Sequence, residues 1–115
     1  MEQKPLKKID IIFGWDDKCT PIQVAEKTIK KTPESIILDM IDSGLKGRGG
    51  AGFPTGLKWK FCRNEEADAK YVICNADEGE PGTFKDREIL DRVPEKIFAG
   101  MTICGFVIGA REGYV

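Results

Sequence analysis

The sequence predicts an α/β fold. Two helix starts of the form Thr-Pro stand near the N-terminus, at Thr20-Pro21 and Thr32-Pro33. A short run, Tyr71-Val-Ile-Cys74, is β-branched and aromatic and apolar on both faces, the pattern of a buried parallel strand. Pro94 opens a long apolar helical pattern, after which Gly113-Tyr-Val115 reads as the start of another strand.

In chain order, Ile9-Asp-Ile-Ile-Phe13 reads as a short strand ended by Gly14, although Asp10 is a poor strand former. Thr20 caps a first helix, Pro21 occupies its first position, and Gln23 completes a capping box; this helix is expected to run to about Lys31. The second helix starts at Thr32-Pro33-Glu34. Ile37, Met40 and Ile41 recur at helical spacing, and Gly44 stands where a helix-ending glycine belongs. A third helix is expected from near Thr55 through Lys60–Arg63, followed by a polar surface connection over 64–70. After the strand at Tyr71–Cys74 come a loop, a short helix from Lys85 to about Asp91, and the helix from Pro94 to about Gly109. Ile97, Met101, Cys104, Val107 and Ile108 line one side of that last helix, and Gly100, Gly105 and Gly109 allow close packing.

With 115 residues the chain is at most one domain. A formal net charge of −1 gives no reason to expect nucleic-acid or membrane-surface binding. The longest apolar stretch, Ile97–Ala110, falls short of the ~18 residues of a membrane span, and Met1–Lys4 lacks the apolar core of a secretion signal, so a cytoplasmic protein is the default expectation. Cys19, Cys62, Cys74 and Cys104 form no C-x-x-C pair, and there is no histidine. That argues against a metal site and for reduced, mostly buried thiols.

The segment Gly44-Leu-Lys-Gly-Arg-Gly-Gly-Ala-Gly-Phe-Pro-Thr-Gly-Leu-Lys-Trp59 puts six glycines and three cationic side chains into sixteen residues. Glycine is entropically costly to order, so such density calls for a reason, and close approach of backbone to a ligand is the usual one. Backbone N–H groups here can form a concave anion site, with Arg48 and Lys58 adding charge. A flexible linker would be Gly/Ser-rich, whereas this run contains Phe53, Leu57 and Trp59 and no serine. Gly47–Gly52 matches G-x-G-x-x-G, but a helix rather than a strand precedes it and Pro54 follows, so the ordinary dinucleotide fingerprint is rejected. No G-K-[ST] follows, which excludes a P-loop.

The second constellation is Asn75-Ala-Asp-Glu-Gly-Glu-Pro-Gly-Thr83, with Asp77, Glu78 and Glu80 placed beyond the C-terminal end of the strand. Ligands of open α/β sheets bind outside those ends. Carboxylates there accept hydrogen bonds from ribose hydroxyls or ring N–H groups, and Asn75 both donates and accepts. The plainer alternative is a solvated acidic turn that caps the following helix. A cationic loop for phosphate beside an acidic loop for hydroxyls is what a nucleotide site requires. Phe53 and Trp59 could stack on a planar ring, core packing being equally open for Trp59, while Lys85, Asp86 and Arg87 read as a solvated helix start.

The glycine-rich segment, followed by Lys70-Tyr-Val-Ile-Cys-Asn-Ala-Asp-Glu-Gly-Glu-Pro-Gly-Thr-Phe-Lys-Asp-Arg87, resembles the FMN- and NADH-binding flavoprotein subunit of respiratory complex I and its soluble relatives. Those include the diaphorase subunits of NAD-reducing hydrogenases, to which Cys62-Arg63 and the acidic motif are most similar, and of NAD-dependent formate dehydrogenases. The resemblance covers about residues 33–115. It implies the first half of a Rossmann-like FMN-binding domain with two N-terminal helices, a Gly-rich loop and a short buried parallel strand, preceded by an extension over residues 1–32 with one helix. It also implies that Gly47, Arg48, Gly49 and Lys58 contact the FMN phosphate and isoalloxazine. Gly50, Ala51 and Phe53 would form the nicotinamide-side wall, Phe53 stacking near the adenine. Asn75, Asp77 and Glu78 would contact the flavin, and Glu80 NADH. No side chain need be catalytic, since FMN takes the hydride. Complete members of the family continue with a Tyr-x-x-Gly-Glu-Glu loop, a small β domain and a helical bundle holding a [4Fe–4S] cluster, whose ligands this chain does not contain. The expected partners are NADH and iron–sulfur subunits of a hydrogenase, formate dehydrogenase or complex I. A non-catalytic nucleotide-binding piece or assembly partner is the alternative.

Overall fold

The computed structural model describes residues 12–13 and 18–115. Among the described residues, five helices and two strands follow in the order α1 (Pro21–Thr28), α2 (Pro33–Asp42), α3 (Thr55–Asn64), β1 (Tyr71–Ile73), α4 (Lys85–Arg92), α5 (Pro94–Ile108) and β2 (Glu112–Tyr114). Of the expected strand Ile9–Phe13, Ile9–Ile11 lie outside the described residues, and Ile12 and Phe13 form a bend.

The helix ends follow local chemistry. Thr20 and Gln23 form the full capping box of α1, and Thr32 caps α2 by accepting from the Ser35 N–H at 3.2 Å. The first helix stops at Thr28 rather than at Lys31. Its chain tightens into bonds from Lys30 N–H to Lys27 and from Lys31 N–H to Thr28, and the residue before Pro33 is disfavoured in helical conformation. Gly44 ends α2 at φ 73° and Gly109 ends α5 at φ 82°, both in the left-handed region that glycine enters without penalty.

β1 and β2 pair in parallel, Tyr71 with Glu112 through Ile73 with Tyr114, and the Cys74 N–H extends the ladder to the Tyr114 carbonyl at 2.8 Å. The expected burial of β1 does not hold. Tyr71 is 52% and Ile73 72% exposed, and only Val72 and Cys74 turn towards the helices. A Cβ at Gly105 of α5 would stand 3.5 Å from Val72, so the helix rests on that inner face alone. Gly100 and Gly109, by contrast, are exposed and face open space, so neither plays a part in close packing. On the outer face the rings of Tyr71 and Tyr114 lie 6.1 Å apart. The Tyr114 hydroxyl donates to Glu112 at 2.8 Å, and that bond raises its pKa.

The core joins α2, α3 and α5. Ile36, Ile37 and Val107 are buried, with Met40, Ile41, Trp59 and Ile103 packed around them. Trp59 is therefore a core residue. Val107 is 0% exposed, and burying such a side chain stabilises the fold by about 1.5–3 kcal/mol. All four cysteines are half-buried rather than mostly buried. Burial pushes the Cys104 thiol up, with a smaller push from Cys62.

One residue fixes how these layers are oriented. Arg63, near the C-terminus of α3, donates to the Val107 carbonyl near the C-terminus of α5 at 2.9 Å and to Glu34 of α2 at 3.0 Å. Lys70, just ahead of β1, donates to the Arg63 carbonyl at 2.8 Å. The C-termini of α3 and α5 thus meet where the strands begin. Of the two helices, α5 packs on the sheet, and α3 packs on α2 and α5.

Candidate functional site

Each of the two loops singled out in the sequence borders a regular element. The glycine-rich loop leads into α3, and the acidic loop leaves β1.

The glycine-rich loop is closed at its neck by main chain. Lys46 and Pro54 form an antiparallel bridge, the Gly47 N–H donates to the Phe53 carbonyl at 2.8 Å, and the Thr55 N–H donates to the Leu45 carbonyl at 3.0 Å. Gly50 (φ 108°) and Gly52 (φ 62°) let the chain reverse within this neck, conformations that side chains rarely adopt. Within the loop, Arg48, Gly49, Gly50 and Ala51 are exposed, and their N–H groups have no acceptor among the described residues. The first turn of α3 adds to this. Its cap residue, Pro54, offers no side-chain acceptor, so the N–H groups of Gly56 and Leu57 also stay open. Open amides at a helix N-terminus, with the exposed cations Arg48 and Lys58 close by in sequence, suit an anion.

Phe53 ends the loop, 46% exposed, with its ring 6.2 Å from that of Phe61 at an interplanar angle of 49°. Sequence reasoning missed Phe61. The available signal was its place on α3, one turn beyond Leu57 and so on a face shared with the helix start. The two rings make an exposed aromatic pair beside the open amides.

The acidic loop is held differently, largely by side chains. The Asn75 side-chain oxygen accepts from the Asp77 N–H at 3.3 Å, and the Thr83 hydroxyl donates to the Glu80 carbonyl at 2.7 Å. Glu78 accepts from the Arg87 N–H at 3.0 Å and so caps α4, as the plainer alternative anticipated for this turn. Asp77, Glu78, Glu80 and Lys85 line an open depression of about 390 Å³. Lys85 pairs with Asp86 at 2.5 Å, and that bond raises the lysine pKa.

The structure thus gathers Gly47, Arg48, Gly49, Gly50, Ala51, Phe53 and Lys58 around one loop, and Asn75, Asp77, Glu78 and Glu80 around the other. It joins the two groups by no hydrogen bond, ion pair or ring contact among the described residues. No group of three metal-ligating side chains is placed to hold an ion among those residues, and none of their helices is long and apolar enough to cross a membrane.

Comparison with known proteins follows the same segments. Residues 40–115 match the sequence model of a family described as the Nuo51 FMN-binding domain. Over 83 residues the chain is 63% identical to the alpha subunit of the NAD-reducing hydrogenase HoxS of Cupriavidus necator, a match covering 72% of this chain and 14% of that protein. Over 94 residues it is 53% identical to an NADH-quinone oxidoreductase subunit of Aquifex aeolicus, covering 81% of this chain and 22% of the relative. A crystal structure of an NAD+-reducing [NiFe]-hydrogenase in the H2-reduced state superposes with a TM-score of 0.79 at 47% identity, covering 92% of this chain and 19% of that one. The chain spans less than a quarter of each of these relatives.

Proposed function

The chain belongs to the family of the Nuo51 FMN-binding domain, and from that premise we propose that it forms part of the FMN- and NADH-binding surface of a diaphorase. The domain is read as Rossmann-like, with residues 1–32 as an extension and residues 33–115 as its N-terminal half. The protein is assigned to the cytoplasm, with iron–sulfur subunits of a hydrogenase, formate dehydrogenase or complex I assembly as electron-transfer partners.

The observation that carries this proposal is the loop rich in open amides that leads into α3, in a chain whose carboxylate-rich loop leaves β1 of a parallel sheet. The donor set suits FMN in particular. Open N–H groups of residues 48–51 and of the first turn of α3 provide several donors for a phosphate, and Arg48 and Lys58 supply countercharge. Asn75 and Asp77 offer acceptors to ring N–H and hydroxyl groups, with Glu80 left for the nicotinamide nucleotide. Phe53 and Phe61 present ring faces on which an adenine can stack. When bound, FMN supplies the hydride-accepting chemistry, from nicotinamide C4 to flavin N5. This chain's residues bind, orient and neutralise; none is assigned a proton to move.

Titration of the 115-residue chain with FMN, followed by quenching of flavin fluorescence, tests the site. Saturable quenching that Arg48→Ala weakens supports it, and absence of quenching sinks a self-sufficient site. The missing contact between the two loops favours a second reading, in which the chain alone is an incomplete, non-catalytic half. NADH-dependent reduction of an artificial acceptor separates the two: no turnover is expected from this chain alone.

A further inference from the structure

We propose that Gly56 is the positioning residue of the glycine-rich loop, through a backbone-to-backbone crossing of α2 and α3 that no side chain can share. The inference rests on the FMN reading above for its ligand, and on the structure alone for its geometry. A Cβ built at Gly56 would stand 2.7 Å from Ile41 Cγ1, 2.8 Å from the Ile41 backbone nitrogen and 3.1 Å from the Ile37 carbonyl oxygen. A rotamer change of Ile41 relieves the first contact only. The other two involve main chain of α2, which no rotamer change moves, so a methyl group must push α3 away from α2.

What moves with α3 is the loop. Gly56 is the second residue of α3, and its neighbour Thr55 closes the neck by donating to Leu45. Leu45 in turn follows directly on the end of α2 at Ser43–Gly44. The loop is therefore a closed span between two helices, and the Gly56–Ile41 contact is its baseline. Shifting that baseline displaces the open amides of Gly56, Leu57 and residues 48–51 relative to one another, and sites of this kind tolerate about 0.5 Å. Gly49 and Gly100 have open space around a Cβ, so small residues in this chain do not all carry such a role.

The test compares Gly56→Ala with Val107→Ala, which loosens the same core at its far end. Three quantities are read on the 115-residue chain: urea midpoint, FMN affinity, and the rate of tryptic cleavage after Arg48 under native conditions. Gly56→Ala is expected to weaken FMN binding about tenfold or more and to speed Arg48 cleavage severalfold. Val107→Ala should lower the urea midpoint while leaving both loop readouts near wild type. Equal loop readouts in the two variants overturn the proposal. If Gly56→Ala does not fold, Ile41→Ala takes its place by widening the crossing without adding a methyl group. Faster Arg48 cleavage than in Val107→Ala supports the role, and an equal rate overturns it. If wild type binds no FMN, the flavin reading fails, while the cleavage comparison still decides the role of Gly56.

Discussion

The glycine-rich loop and the acidic loop are built on opposite principles. The first is closed by main-chain bonds at its neck and by a helix crossing at Gly56, and its amides are left open. The second is shaped by its own side chains, Asn75, Glu78 and Thr83, which bond to nearby backbone. A loop held by backbone can present its N–H groups without involving any side chain in its own structure. A loop held by side chains uses the groups it would offer a ligand to keep its shape. Glu78 shows this directly, since its carboxylate already caps α4.

That contrast predicts where substitutions act. The largest effect is expected at Gly52, where φ is 62°. Gly52→Val forces a β-branched residue into a left-handed conformation, a strain of about 1–3 kcal/mol, and FMN titration should show binding lost with it. In the acidic loop, Gly79 has no positive φ and open space for a Cβ. Gly79→Ala should leave the urea midpoint unchanged or raise stability by about 0.4–1 kcal/mol, and a large loss there would break the comparison.

Next in size is Glu78→Gln, which removes a charged acceptor at the start of α4. A loss of about 0.5–1 kcal/mol in thermal unfolding is expected, together with weaker FMN binding. If binding weakens while stability is untouched, Glu78 serves the ligand alone and the dual role is wrong.

The smallest effect lies at the other end of α3 from the glycine-rich loop and serves as a reference for both loops. Backbone hydrogen bonding and the Arg63 guanidinium hold the Glu34 carboxyl below its usual 4.5. Its folded pKa is depressed, so its contribution is present above about pH 4.5 and is lost as pH falls through the lower folded value. Melting temperatures of wild type and Glu34→Gln should therefore converge in acid and differ slightly near neutrality. A constant gap across pH would remove Glu34 from the account.

Much of this was legible in the sequence, because local chemistry decides it. Thr20, Thr32, Gly44 and Gly109 mark helix ends through caps and left-handed turns, and those rules need only neighbours in the chain. The two loops were found from composition alone. Burial was less legible. Tyr71-Val-Ile-Cys74 has the pattern of a strand covered on both faces, yet only one face meets a helix, and a four-residue apolar run does not say which segments cover it. The Gly56 crossing and the Phe53–Phe61 pair also escaped, since each depends on how two segments meet in space.

Arg63 has a consequence for the order in which the chain assembles. Its bonds to Glu34 and Val107 span 29 and 44 positions of sequence; the first needs α2 and α3 together and the second α3 and α5, so the full set forms only once all three helices have met. Contacts of such long reach are paid for in loop entropy before they give anything back, and they belong to the late side of a folding barrier. Removing them with Arg63→Met should leave the refolding rate nearly unchanged and quicken unfolding, as stopped-flow measurements in urea would register. Arg63 would then act on the native state's lifetime, as a latch closed after the helices have found each other.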